Sequence, residues 1–170
     1  MGTNCIIDKG YALQCRGAAG IAKVYISSST GDTVNTVDAS DIITGITGNN
    51  TYYEVQIHKE VGSFNAGVST VNVEGGTVGS ESTLEIFIPG YDIERRDFVS
   101  LIAKNELDII VGDNDGKYFL MNRANLVKSD TNFGKLIGDS KGSLMSFNCK
   151  QTKDCQEVDA AVIAVLNPTV

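Results

Sequence analysis

The chain has 170 residues, enough for one domain with a real hydrophobic core and an arm or long loop besides. Trp is absent and aromatic residues make up 7%, so the core rests on Ile, Val and Leu. Twenty-one acidic residues against fourteen basic ones give a formal charge of −7, with no cluster of Lys or Arg. That balance argues against a protein that grips nucleic acid by neutralising phosphates, though not against one past which DNA must slide. Eighteen Gly with only two Pro, among many Ser, Thr, Asn and Asp, suit short strands joined by turns.

The first residues, MGTNCIIDKG, lack the basic region and apolar core of a secretory signal. Gly2 is followed by Ile6 where myristoylation needs Ser or Thr. The longest apolar run, Ala160 to Leu166, is too short to span a bilayer, so the expectation is a soluble protein made in a cytoplasm. Cys5 and Cys15, and Cys149 and Cys155, are too widely spaced for the knuckles of a zinc site. Reduced or semi-buried thiols are expected, with the pairing of any bridges left open.

Residues 1 to about 20 lack regular patterning and read as an N-terminal arm. Ile21 to Ser27 alternates as a strand. The polar, turn-rich run from Ser28 to Asn50 reads as a long excursion carrying one or two short strands. From Tyr52 to Val61, Tyr53, Val55, Ile57 and Val61 alternate with Glu54, Gln56, His58 and Glu60, predicting a strand with one buried and one wet face. Gly62-Ser63 can then turn the chain into FNAGVSTVNVEGG. There the apolar parity switches between Val68 and Val71, predicting a bulge or bend beside Gly67.

Between Ser82 and Met121 helical period, strand alternation and turn chemistry agree. Leu84, Ile86 and Ile88 alternate with Thr83, Glu85 and Phe87, and Pro89-Gly90 ends that strand. Asp92 is a candidate N-cap, and Phe98, Leu101 and Ile102 are the candidate core face of the helix that follows, with Arg95, Arg96 and Lys104 largely elsewhere. Leu107 to Val111 and Lys117 to Met121 form a strand pair around GDNDG. Beyond it, residues 122 to 143 read as loop with a weak strand or two, 143 to 150 as a strand, and about 150 to 170 as a C-terminal arm whose apolar end is a short helix or a docked strand. The fold class is thus mainly β, a largely antiparallel sandwich or barrel-like domain flanked by one helix.

Little in the chain suggests catalysis. In GDNDG an EF-hand register would put Val111 and Asn122 at ligand positions, so a hairpin turn is the better reading. His58 is the sole histidine and has no nucleophile partner in its pattern. Asp108, Asp113 and Asp115, and Asp38 and Asp41, read as solvated hairpin and loop carboxylates. Neither catalytic residues, nor a cofactor, nor a metal site is expected.

Three segments carry a resemblance: GIAKVYIS at 20 to 27, LIAKNELDIIVGDNDGKYFLM at 101 to 121, and GDSKGSLMSFNCKQ at 138 to 151. Together they resemble virion structural proteins of tailed phages of the Bacteroides group, with a tail-tube fold. In similar proteins the third segment reads G-D-x-N-G-Y-T-L-T-F, and here Lys141 and Ser143 replace its Asn and Tyr. The resemblance implies a sandwich with one flanking helix and six copies to a ring. It further implies rings stacked into a tube and a hairpin from each copy joining an inner barrel that conducts double-stranded DNA without sticking. Its partners would be itself and other phage tail proteins, in a virion tail assembled in the bacterial host cytoplasm. On that view Tyr52 to Glu74 is the inner-barrel hairpin, and Glu54, Gln56, His58 and Glu60 face the lumen. The competing readings are a head-decoration, connector or tail-terminator protein, and a non-viral β-sandwich binding module such as an adhesin.

Overall fold

A computed structural model describes residues 20–29, 34–48, 51–57, 62–166 and 168. The expected N-terminal arm, Cys5, Cys15, His58 and Glu60 lie outside the described residues. In chain order the elements are β1 (Ile21–Ser28), β2 (Val34–Val37), β3 (Ile43–Thr47), β4 (Tyr53–Val55), β5 (Ser63–Asn72), β6 (Thr77–Pro89), α1 (Ile93–Ile102), β7 (Leu107–Asp113), β8 (Tyr118–Asn132), β9 (Gly142–Gln151), β10 (Gln156–Val158) and α2 (Ala160–Leu166). The protein is mainly β.

The strands form two limbs of one mixed sheet, joined through β8. The first limb runs β2-β3-β10-β8-β7-β1-β4 and the second β8-β9-β6-β5. β8 serves both because it changes partners part-way: Tyr118 to Ala124 pair with β7, and Asn125 to Asn132 pair with β9. The change falls beside Arg123, whose φ of 57° is uncommon for a residue with a side chain. The carboxylate of Asp108 accepts the Arg123 N–H at 3.1 Å and holds that corner. The expected loop at 122 to 143 is therefore half strand. Its polar outer face hid the period that a wholly wet loop would also lack.

The first limb is covered on both sides. Val24, Ile26, Ile109 and Val111 face one apolar cluster, shared with Leu84, Ile86, Met145 and Phe147 of the second limb. On the other side Tyr25, Ile110 and Leu120 pack with Ile43, Tyr52, Val158, Val162 and Ile163. Strands buried on both faces read as continuous apolar runs, as LDIIV does. The expected excursion at 28 to 50 folds into the β2–β3 hairpin, and its turn is closed by Asp38 Oδ1, which accepts the N–H groups of Ser40 at 2.8 Å and Ile42 at 3.0 Å. The C-terminal arm is likewise part of the core. β10 pairs in parallel with β3 and antiparallel with β8, and α2 buries Val162 and Ile163. Among the described residues there are thus two helices, and the sheet is mixed rather than purely antiparallel.

The GDNDG segment is the hairpin turn expected: Asp113 Oδ1 accepts the N–H groups of Asp115 at 3.0 Å and Lys117 at 2.8 Å, and Gly116 takes φ 83°. The bulge expected near Gly67 is also present, as a register shift between Asn65 and Val68. It is pinned from outside, where Ala66 O accepts the Cys155 N–H at 2.9 Å and the Ser82 hydroxyl at 2.8 Å. A Cβ on Gly67 would collide with Asp154 and with Ser80, whose hydroxyl bonds Asp154 at 2.6 Å.

Two expectations are corrected. Residues 52 to 74 do not form a hairpin, because β4 pairs with β1 in the first limb whereas β5 pairs with β6 in the second. Alternation gave each strand its faces but could not name its partner. The actual long hairpin is β5–β6, turning at Val73 to Gly76. In α1, Leu101 is 62% exposed while Ile102 is buried and Phe98 half-buried. The inward stripe runs through Arg95, Phe98, Val99 and Ile102, at the i, i+3, i+4, i+7 spacing, and Leu101 sits about 100° from Ile102 on the flank.

Candidate assembly surface

Asp92 caps α1 as expected, its Oδ1 accepting the Arg95 N–H at 2.7 Å. The cap aims the Arg95 side chain inward, contrary to its expected place on the polar face. There the guanidinium donates from Nη2 to the hydroxyls of Ser143 and, at 3.1 Å, Thr131, while its Cζ lies 5.2 Å from the centre of the Tyr91 ring. Nε and Nη1 are buried without hydrogen-bond partners among the described residues. Tyr91 continues edge-on to Phe133 at 5.0 Å, and Lys141 Nζ lies 5.1 Å from the Phe133 ring. Sequence reading missed this cluster, although the helical spacing of Arg95 with Ile102 is its signal.

The outer face of the second limb points away from the shared core. It presents Glu81, Thr83 and Glu85 from β6, Ser146, Asn148 and Lys150 from β9, and Lys128 and Asp130 from β8. Two cross-strand bonds tie it together, Asn148 Nδ2 donating to Glu81 and Ser146 Oγ to Glu85 at 3.4 Å, and along β8 Lys128 pairs with Asp130 at 2.6 Å. Neither helix covers this face among the described residues. Both outer strands of the limb are open as well. Among the described residues β5 has β6 as its one strand partner, with Ala66 O at its bulge also accepting the Cys155 N–H, and the Asn125 to Asn132 half of β8 has β9 alone.

Of the expected lumen residues, Glu54 and Gln56 lie off this face, on or beside β4. Glu54, half-buried on β4, adds to the Tyr25 phenol in holding the Lys23 ammonium above its usual pKa. Gln56 is exposed just beyond β4. Of the expected helix face, Phe98, Leu101 and Ile102 all line a mainly apolar recess of about 230 Å3, shared with Ile26, Tyr53 and Leu107. Leu101 is its rim rather than part of the core.

Asp108, Tyr52, Cys149 and Cys155 are enclosed. Asp108 is buried, and desolvation raises its carboxyl above the usual range against the hydrogen bonds from Arg123 N–H and the Ser29 hydroxyl. Tyr52, whose hydroxyl is buried without a partner, is raised by burial and by Asp108. Cys149 and Cys155 are free and buried, their thiols donating to Asn122 O at 2.8 Å and Ser82 Oγ at 3.1 Å. Burial pushes the Cys149 thiol up to about 11, so it stays protonated and a poor nucleophile. Among the described residues no three His, Cys, Asp or Glu side chains converge as metal ligands, and no helix is long and apolar enough to cross a membrane. No protein-family model matches the chain, and no curated protein sequence matches it.

Proposed function

We propose that this protein is a ring-forming structural subunit of a phage tail tube. One observation carries the reading: among the described residues the second limb is a four-stranded sheet whose outer strands have no further strand partner and whose mainly polar outer face neither helix covers. Open edges on a folded monomer invite pairing with another chain. Pairing β5 of one copy with the far half of β8 of the next uses two different surfaces. Such a head-to-tail contact closes into a ring when its rotation allows. A closed ring of limbs is a barrel, which leaves no edge exposed.

The resemblance supplies the number of copies, six, and the cargo, double-stranded DNA. The lumen wall would be the outer face of this limb, with Glu81, Glu85 and Asp130 against Lys128 and Lys150. Since Lys128 is already held by Asp130, few cations are left to grip phosphate, which suits passage without sticking. The strand segments of the barrel are therefore 63–89 and 125–151, in place of the 52–74 ribbon expected from sequence.

Electron microscopy of the purified protein tests this. Rings or tubes with a central channel are expected, and protein that stays monomeric at all concentrations overturns the reading. Replacing Glu81 and Glu85 by Lys should leave particles that assemble but eject DNA poorly. Unchanged ejection would remove this face from the channel wall.

A further inference from the structure

Lateral pairing of limb edges accounts for backbone groups, but not for the apolar side chains that crowd the two ends of the same strands. At one end the β5–β6 hairpin projects Val71, Val73 and Val78 into solvent, Val73 being 87% exposed. At the other end, where Pro89 meets Gly142 and Asn132, the surface carries Tyr91, Ile93, Phe133, Leu136 and Ile137, with Leu136 76% exposed. The register makes these true opposites. Asn72 pairs with Thr77 at the tip, Ser80 with Gln151 farther in, and Pro89 with Gly142 at the far end. Thirteen residues of β6 separate the two ends by roughly 40 Å at about 3.3 Å per residue. Single exposed apolar residues are ordinary, whereas apolar groups gathered at both ends of one sheet mark contact surfaces.

A charge at the tip can meet cations at the far end, although Asp92, Glu94 and Asp139 also stand there. Glu74 is the only ionisable residue between Val68 and Ser80. At the opposite end Lys135 and Lys141 have no carboxylate partner among the described residues, Lys141 resting over Phe133. The nearby carboxylate of Asp139 is occupied, accepting the N–H groups of Lys135 at 2.7 Å and Leu136 at 2.9 Å.

We infer that these two ends bind each other between copies: the Val71–Val78 tip of one subunit seats on the Tyr91/Phe133–Ile137 end of a second copy in the next ring. The contact is heterologous and runs along the strands, so it repeats without limit and turns rings into a tube. This rests on the ring reading above and adds the axial surface to it. It also places in these residues the difference between a subunit that stacks indefinitely and one that stops at a single ring.

The test is microscopy and sedimentation of four variants, with circular dichroism to confirm folding. Val73→Asp and, separately, Leu136→Asp should each abolish stacks and leave single rings. Glu74→Lys should shorten the stacks, and adding Lys141→Glu to it should restore them. Stacks that persist in both aspartate variants overturn the assignment, as does a double charge swap no better than the single one. Wild-type protein that forms rings but never stacks overturns the axial contact and leaves ring closure standing. Wild-type protein that stays monomeric overturns both.

Discussion

The two limbs of the sheet use the same kind of strand for opposite ends. In the first, β1 and β7 lie between two apolar clusters, and residues on both of their faces are withdrawn from water. In the second, β6 and β9 bury only alternate residues, and the opposite face and both edges are left wet. A limb sealed on both sides holds the monomer together. A limb with one wet face gives its inner residues, Leu84, Ile86, Met145 and Phe147, to the shared core and offers its outer face and edges to a neighbour. Stability and assembly are thereby assigned to different faces and ends of the sheet, and substitutions should separate them.

The largest contrast is between the limbs themselves. Ile109, fully buried in β7, should lose about 2–5 kcal/mol on replacement by Ala, through lost burial and an unfilled cavity. Val73→Ala at the hairpin tip should stay within about 0.5 kcal/mol for the monomer. Urea unfolding of both variants checks this, and equal costs would dissolve the distinction between a sealed and an open limb.

The helix that closes one end of the shared core sharpens the same point at adjacent positions. Ile102→Ala should cost about 2–5 kcal/mol, whereas Leu101→Ala should cost within about 0.5 kcal/mol. The reverse order in thermal melts would mean that α1 presents its other flank to the core. A smaller effect is expected at the cap of that helix. Asp92→Ala removes the acceptor for the Arg95 N–H and should cost about 1 kcal/mol, with Asp92→Asn close to wild type.

The smallest effect concerns pH. Burial raises the Asp108 carboxyl in the folded state above its ordinary value near 3.8, partly offset by its hydrogen bonds. Below that value both states are protonated and burial carries no ionic penalty. As pH rises through it, the unfolded chain releases its proton first, so stability falls until the folded carboxyl also ionises, and the loss persists above. Asp108→Asn keeps an acceptor for Arg123 N–H and removes this loss. Its melting temperature relative to wild type should therefore climb from about pH 4 towards neutrality. A constant difference across that range would show that Asp108 titrates alike in the folded and unfolded protein, so that burial does not raise its carboxyl.

Much of this was legible in the chain. Alternation located the buried residues of β6 and β9, Asp92 and Ile102 marked the helix, GDNDG marked a hairpin, and the parity switch at Val68 located a bulge. These features follow from local rules, in which side-chain period and turn chemistry act within a few residues. Leu101 was misplaced because two neighbouring apolar residues on a short helix permit two faces, and only packing selects one. Arg95 was assigned to solvent because a charged residue is rarely buried, yet hydroxyls from β8 and β9 and the Tyr91 ring receive it.

What the sequence by itself determined was the mainly β class, the principal strands, the helix cap and the turns, each written in residues close together along the chain. Only the tertiary structure decided that β4 joins β1 while β5 joins β6, that β8 passes from one limb to the other at Arg123, and that the second limb keeps its edges open. Strand pairing joins residues far apart in sequence through backbone groups that are alike in every residue. The choice of partner therefore depends on which apolar faces can be buried together, a property of the whole chain rather than of any one segment.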